Sequence, residues 1–293
     1  VDIFRPLWWL ILNGPILTFR PSKSGKAYKK VWDNENYGSP LRKFTIYQSK
    51  KISDILSLDK NIIVDYAMRY GVPAMHKTLD NMMKQGCTKV LLVPLYPQYA
   101  ASTTATVKDE FFRWMLKQRW QPALRTIAPW FDDDNYINAL AKTVKDNFKN
   151  DKKPDMLIIS FHGIPKRYFA AGDPYHCHCI KTARLLKEKL KWPDEKILVT
   201  FQSRFGPEPW LQPYTDKTII DLAKNGTKSI AVVAPGFISD CLETLEEINV
   251  EARELFIENG GKEFNYIPCL NDNEHSIKFL EGIIKKNLQG WVS

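Results

Sequence analysis

From residue 60 onward, short apolar runs alternate with amphipathic stretches. "NIIVDYA" (61–67) reads as a strand. "PAMHKTLDNMMKQG" (73–86) reads as a helix stopped by Gly86, since glycine takes the left-handed C-cap conformation without steric cost. "KVLLVP" (89–94) is the next strand, a helix follows around 103–118, and "ALRTIA" (123–128) is a third strand. Asp132–Asp134 place negative charge at a helix N-terminus, which predicts a helix near 133–149. The pattern then repeats, with strands at 155–160, 196–201, 229–235 and 264–268 and helices near 174–190, 214–225, 240–258 and 273–289. Upstream, Ser39 as N-cap and Pro40 as first helical residue predict a helix over 40–56.

Strands alternating with helices predict βαβ units, parallel sheets and helices on both faces. The expected class is α/β, with two doubly wound, Rossmann-like parallel-sheet domains. The polar, proline-marked "NDKKPD" (150–155) separates residues 1–150 from 151–293, and the last helix (about 273–289) is expected to pack back on the first domain. Neither G-x-G-x-x-G nor G-x-x-x-x-G-K-[ST] occurs, so a nucleotide fingerprint is missing.

In open α/β sheets ligands bind beyond the carboxyl ends of the strands. The unusual stretches fall there: "MRYG" (68–71), "PLYPQYAASTT" (94–104), "SFHGIP" (160–165), "FQSRFGPEPW" (201–210) and "APGFISDCLET" (234–244). Five loops rich in Tyr, Trp, Ser, Arg, His and Glu converge on one rim.

Composition is that of an ordinary globular chain, and five scattered cysteines suggest no disulfide framework, which fits a reducing compartment. The apolar run Leu7–Leu12 is too short to cross a bilayer, and no small-residue cleavage site follows it, so no signal peptide is expected. The net charge is +9 and lopsided: residues 1–60 hold eleven Lys or Arg against five Asp or Glu, beside "PLWWLIL". Basic residues next to aromatics suit an anionic membrane surface or an acidic ligand. The plainer reading, a lysine-rich surface over a buried apolar helix, is preferred at this point. No binding motif accompanies the charge, which argues against nucleic acid.

"SFHGIPKRYFAAGDPYHCHC" (160–179) concentrates histidine and cysteine. His176, Cys177, His178 and Cys179 are consecutive, and neighbouring side chains diverge, so they cannot close one tetrahedron around zinc. Packing at a helix start and surface placement suit them better. His162 directly follows an apolar strand and precedes Gly163 and Pro165, so its imidazole projects from the sheet edge. Such a histidine can take a proton, bind a metal or bond to loop backbone. In "SDCLETLEEINVEARELF" (239–256), Asp240, Glu243, Glu247, Glu251 and Glu254 lie opposite an apolar face. That stripe is a solvated face unless Glu243 points into a cleft. An i, i+4, i+8 series drifts on a regular helix and straightens on a widened π turn.

Together, "LVPLYPQYAASTT", "SFHGIPKRYFAAGDPY", "FQSRFGPEPWLQPYTD" and "PGFISDCLETLEEI" resemble the ferrochelatases, in order and spacing and across essentially the whole chain. The resemblance implies a chelatase-like fold with the active-site cleft between two α/β domains. It also implies a lyase that inserts ferrous iron into a porphyrin in haem synthesis. The variant resembles the Gram-negative bacterial kind, which implies protoporphyrin IX as the substrate. By motif, His162 and Glu243 correspond to the catalytic and metal-handling pair. Asp240, Glu247 and Glu251 correspond to an acidic relay, and Arg69, Tyr70, Ser102, Thr103 and Trp210 to the porphyrin cleft. "FRPLWWLIL", with Trp8 and Trp9, resembles an apolar lip that borders the cleft and touches an anionic membrane. The implied location is the cytoplasm, peripheral on the inner face of the membrane.

The family's usual opening strand is missing before Val1, which bears on the completeness of the first sheet. The tail "KKNLQGWVS" lacks the cysteines of an iron–sulfur centre, so no cluster and no permanent cofactor is expected; iron is a substrate. Cys241 stands where some members have a second histidine. The rival readings are a chelatase for another metal or tetrapyrrole, a noncatalytic porphyrin carrier, and a two-lobed periplasmic-type binding protein.

Overall fold

The computed structural model describes residues 5–33, 37–56, 61–148 and 153–292. The N-terminal arm is helical: α1 (Arg5–Ile11), a π turn at Leu12–Ile16 and α2 (Leu17–Val31). It leads to α3 (Pro40–Leu56), where the Ser39 hydroxyl accepts from the Arg42 amide at 3.3 Å, the cap expected there. Next come α4 (Met75–Lys84), β1 (Lys89–Leu92), a π turn at Ala101–Ala105 that runs into α5 (Thr106–Met115), β2 (Ala123–Thr126) and α6 (Asp134–Asn147). The Asp133 carboxylate caps α6 by accepting from the Asn135 and Tyr136 amides. The second half holds β3 (Met156–His162), α7 (Lys166–Ala170), α8 (Tyr175–Leu190), β4 (Ile197–Gln202), α9 (Thr215–Lys224) and β5 (Ser229–Val233). It closes with α10 (Leu242–Leu245), a π turn at Glu247–Ala252, α11 (Arg253–Glu258), β6 (Glu263–Ile267) and α12 (Glu274–Leu288).

Two parallel sheets result. One pairs β1 with β2, and the other runs β4-β3-β5-β6. Leu157, Ile158 and Ile159 of β3 are fully buried, as a central parallel strand covered on both faces requires. On one face, Ile158 packs with Ile219, Ile230, Val232 and Phe256. The other face shares a core with the first half of the chain: Leu157, Ile159 and Phe161 join Ile52, Leu56, Trp130 and Tyr136. The closing helix α12 lies against α3 and α6, and the Phe279 ring sits 4.9 Å from that of Trp130.

Two expectations change. Residues 61–67 form no strand; this stretch ends in a single bridge between Met68 and Ala74. An apolar run becomes a strand only when a neighbour satisfies its backbone. Among the described residues β1 is paired along one edge, to β2. The single helix expected over 240–258 is three pieces, with the widened turn beginning at Glu247. Its signature bond runs from the Glu251 amide to the Glu246 carbonyl, five residues back, at 2.9 Å.

Candidate active site

The carboxyl ends of β3, β4 and β5 open on a cavity of about 1850 Å³. It gathers His162, Glu243, Arg69, Tyr70, Ser102, Thr103 and Trp210 from separate loops. Its far end runs along the open edge of β1, lined by residues 61–70 and 87–96.

His162 is the last residue of β3, half-buried, with its ring 6.5 Å from that of Phe237. Its Nδ1 lies 2.6 Å from the Gly163 carbonyl oxygen. A carbonyl only accepts, so Nδ1 carries the proton, and in the neutral ring Nε2 keeps its lone pair. Gly163 is required by a close approach. A Cβ there would lie 2.9 Å from the Gln202 carbonyl oxygen and 3.2 Å from the Trp210 ring. The Gly163 amide donates to that same oxygen at 2.7 Å, which pins the loop after His162 to β4.

Glu243 stands in the first turn of α10, whose N-cap is Cys241. Burial pushes the Cys241 thiol well above its ordinary pKa, and the nearby Glu243 carboxylate adds to the effect. Burial also raises the hydroxyls of Tyr28 on α2 and Tyr96, with Glu243 again contributing. Both tyrosines line the cavity with Glu243, and their raised hydroxyls stay protonated at neutral pH.

Beneath this pair lies a buried polar network. Gln202, paired in register with His162, donates from Nε2 to the Glu243 carbonyl at 2.8 Å and to Glu247 Oε2 at 3.3 Å. Its Oε1 accepts from the Ser160 hydroxyl at 2.7 Å, and Ser160 Oγ lies 3.0 Å from Thr215 Oγ1. Ser203, at φ +63°, donates its amide to Glu247 Oε1 at 2.7 Å and its hydroxyl to Glu247 Oε2. Burial raises the Glu247 carboxyl above the usual range, while the Ser203 bonds, the nearby His162 and Gln202 pull it back.

The acidic stripe is distributed unevenly. Asp240, Glu247 and Glu251 are not among the residues lining the cavity. Asp240 is buried, and its carboxylate accepts from Tyr266, from Thr244 at 3.1 Å, from the Cys269 amide at 3.3 Å and from Asn271 Nδ2 at 2.7 Å. Glu247 is tied to β4, and Glu251 is exposed on the π turn. The neighbouring Glu246 is buried and bonded to Lys30 of α2 at 2.7 Å, which ties the N-terminal arm to the π turn.

The opposite wall is looser. Tyr70 is 73% exposed, with the Arg69 guanidinium 4.5 Å from its ring centre. Arg69 Nε is buried and has no hydrogen-bond partner. Trp210 donates to the Phe205 carbonyl at 2.8 Å. From the N-terminal arm, Ile11 and Tyr28 line the cavity, while Trp9 is exposed and does not; the Trp8 side chain lies outside the described residues. The His–Cys run opens α8 and diverges: His176 stacks on Phe201, Cys177 is exposed, His178 stacks on Phe131 at 3.7 Å, and Cys179 is buried. Among the described residues no three His, Cys, Asp or Glu side chains form a metal cluster, and no helix is long and apolar enough to cross a membrane.

The family model for ferrochelatase matches residues 1–288. The chain belongs to the ferrochelatase family. It is 55% identical to a ferrochelatase of Allorhizobium ampelinum over 293 residues, all of this chain and 85% of that protein. Against a ferrochelatase of Agrobacterium fabrum it is 54% identical with the same coverage. The fold resembles that of SirB from Bacillus subtilis, solved with Fe3+ (TM-score 0.60, 14% identity, 88% of this chain and 96% of that one). It also resembles CbiX, described as the terminal enzyme of sirohaem synthesis in denitrifying bacteria (TM-score 0.55, 12% identity, 84% and 92%).

Seen as a ferrochelatase, the chain brings seven of its expected site residues to one cavity, while Asp240, Glu247 and Glu251 lie outside its lining. Sequence reasoning passed over Gln202, Ser203, Tyr28 and Tyr96.

Proposed function

We propose that the cavity is the slot in which protoporphyrin IX receives ferrous iron, with His162 and Glu243 acting at the pyrrole centre. Family membership makes the chain a metal chelatase, a lyase that inserts ferrous iron into a porphyrin in haem synthesis. The observation that carries the site reading is that an imidazole from β3 and a carboxylate from α10, eighty-one positions apart, line one cavity.

A free-base porphyrin holds two N–H protons that must leave as the ferrous ion enters, so insertion releases two protons per iron. His162 Nε2, which carries the lone pair when Nδ1–H donates to the Gly163 carbonyl, takes one. Glu243 serves the other face, receiving a proton or escorting the hydrated metal; imidazole with carboxylate suits a divalent iron that must also depart. Glu247 and Glu251 continue the path along the π turn. Asp240, committed to four hydrogen bonds, holds the loop that presents Cys241 and Glu243. Trp210 and Tyr70 wall the macrocycle, and the unpartnered Arg69 Nε meets its anionic edge.

The exposed Trp9, Leu10 and Leu17, beside Lys26, Lys29 and Lys30, suit peripheral contact with an anionic membrane, cytoplasmic in a bacterial cell. Residues 1–150 and 151–293 serve as the two lobes around the slot.

An anaerobic insertion assay, read by loss of porphyrin fluorescence, tests the pair. His162→Ala should lower turnover by about 10²–10⁴-fold, the usual worth of a positioned acid or base. The melting curve should be unchanged. Turnover within a few-fold of the parent would remove His162 from the reaction.

A further inference from the structure

Gln202 is 5% exposed and does not line the cavity, yet it contacts both sides of the reacting pair. Its carbonyl oxygen accepts from the Gly163 amide next to His162, at 2.7 Å. Its side chain donates to the Glu243 carbonyl at 2.8 Å and to Glu247 at 3.3 Å. We propose that Gln202 is the positioning residue that sets Glu243 and Glu247 relative to His162, through one amide held between β3 and the π-helical turn. This rests on the reading of His162 and Glu243 as the reacting pair.

The chemistry around the amide explains why it is glutamine. The Glu243 carbonyl can only accept, so the amide nitrogen must face it. The amide oxygen then turns to the Ser160 hydroxyl, which donates at 2.7 Å. The amide therefore has one orientation, and a bond from the sheet fixes its aim at the helix. A hydrocarbon here would leave the Glu243 carbonyl without this donor. A glutamate would set a second carboxylate against Glu247 and the Glu243 carbonyl, with His162 across the strand pair as the nearby basic group.

Two variants and one control test this. Gln202→Met is nearly isosteric and removes both donated bonds. Its kcat should fall about 10–100-fold, the usual range for groups that orient catalytic residues, with KM for porphyrin nearly unchanged. Gln202→Glu keeps the length of the side chain but puts an acceptor where the donor stood, and it should lose as much. Ser160→Ala releases the aim of the amide in the parent background and should cost several-fold in kcat. It keeps the test open if either Gln202 variant fails to fold. An effect confined to KM, or parent kcat in Gln202→Met, Gln202→Glu or Ser160→Ala, overturns the proposal. His162→Ala in the same series separates the two claims. If it is inactive while the Gln202 variants match the parent, only the positioning role falls; if it is active, the pair itself falls.

Discussion

The wall that carries His162 and Glu243 stands on a sheet whose described strands number four, and its polar groups are bonded to one another; the wall that carries Arg69 and Tyr70 is held by fewer such bonds among the described residues. On the first wall polar groups answer one another: Gly163 to Gln202, Gln202 to Glu243 and Ser160, and Ser203 to Glu247. On the second, Tyr70 is exposed, and the Arg69 guanidinium reaches Glu110 only at 3.9 Å while its buried Nε has no hydrogen-bond partner among the described residues. A group that moves a proton must be held to within about 0.5 Å, and a paired scaffold supplies that. A wall that admits and releases a large flat molecule gains from slack. The division of labour we infer is chemistry on the tight wall and reception on the loose one.

The strongest way to break this contrast is to loosen the tight wall without touching a reacting side chain. Gly163→Ala does so. Its new Cβ would meet the Gln202 carbonyl oxygen at 2.9 Å, closer than real Cβ atoms tolerate, and backbone must move. The bond from the Gly163 amide to that oxygen would lengthen first. Overpacking of this kind costs about 1–3 kcal/mol, and a misplacement near 1 Å costs about 10²-fold in turnover. Thermal melting and the insertion assay should both register it. Parent-like activity would mean that the position of His162 is not set by this strand contact.

A smaller effect is expected on the loose wall. Arg69→Met removes the guanidinium but keeps the bulk of the side chain. With the reacting pair untouched, KM for porphyrin should rise about tenfold, the loss of one charge-assisted hydrogen bond, while kcat stays near the parent value. A fall in kcat instead would place Arg69 in the chemistry and erase the difference between the walls.

The tight wall was legible in the sequence to the degree that its signals are local. The helix cap at Ser39 and the acidic start of the helix at Asp132–Asp134 were visible, because each depends on residues within four positions; the strand expected over 155–160 runs on to include His162, an extension set by its pairing with β4. The π turn was anticipated from the spacing of Glu243, Glu247 and Glu251. What stayed hidden depends on distant partners. Apolar 61–67 looked like a strand, but a strand needs a neighbour to bond with. Asp240 looked like part of a solvated stripe, and only Tyr266, Cys269 and Asn271 reveal it as buried. Glu246 drew no notice beside Glu247, yet it is the one buried against Lys30, 216 positions away. Gln202 became visible only through the register that sets it beside His162.

The mildest test asks whether the four-stranded sheet can lose stability without the site noticing. Asp155 lies at the opposite end of that sheet, roughly 20 Å along β3 from His162 at about 3.3 Å per residue. Its carboxylate accepts from the Ser229 amide at 2.9 Å and the Lys228 amide at 3.0 Å, and its own amide donates to Ser229, joining the starts of β3 and β5. The Ser229 amide bond is the main cause that holds the Asp155 carboxyl below its ordinary pKa. A lowered folded-state value means the contribution to stability is present above the unfolded pKa of about 3.9 and is lost as pH falls through the folded value. The residue is largely exposed, so solvent screening limits the effect; Asp155→Ala should cost about 1 kcal/mol at pH 7, a drop of roughly 2–4 °C in melting temperature. The gap between parent and variant should close toward pH 3, and insertion turnover at pH 7 should be unchanged. Turnover that fell together with stability would mean that the sheet transmits strain along its whole length, and the tight wall would then extend far beyond the residues that touch the cavity.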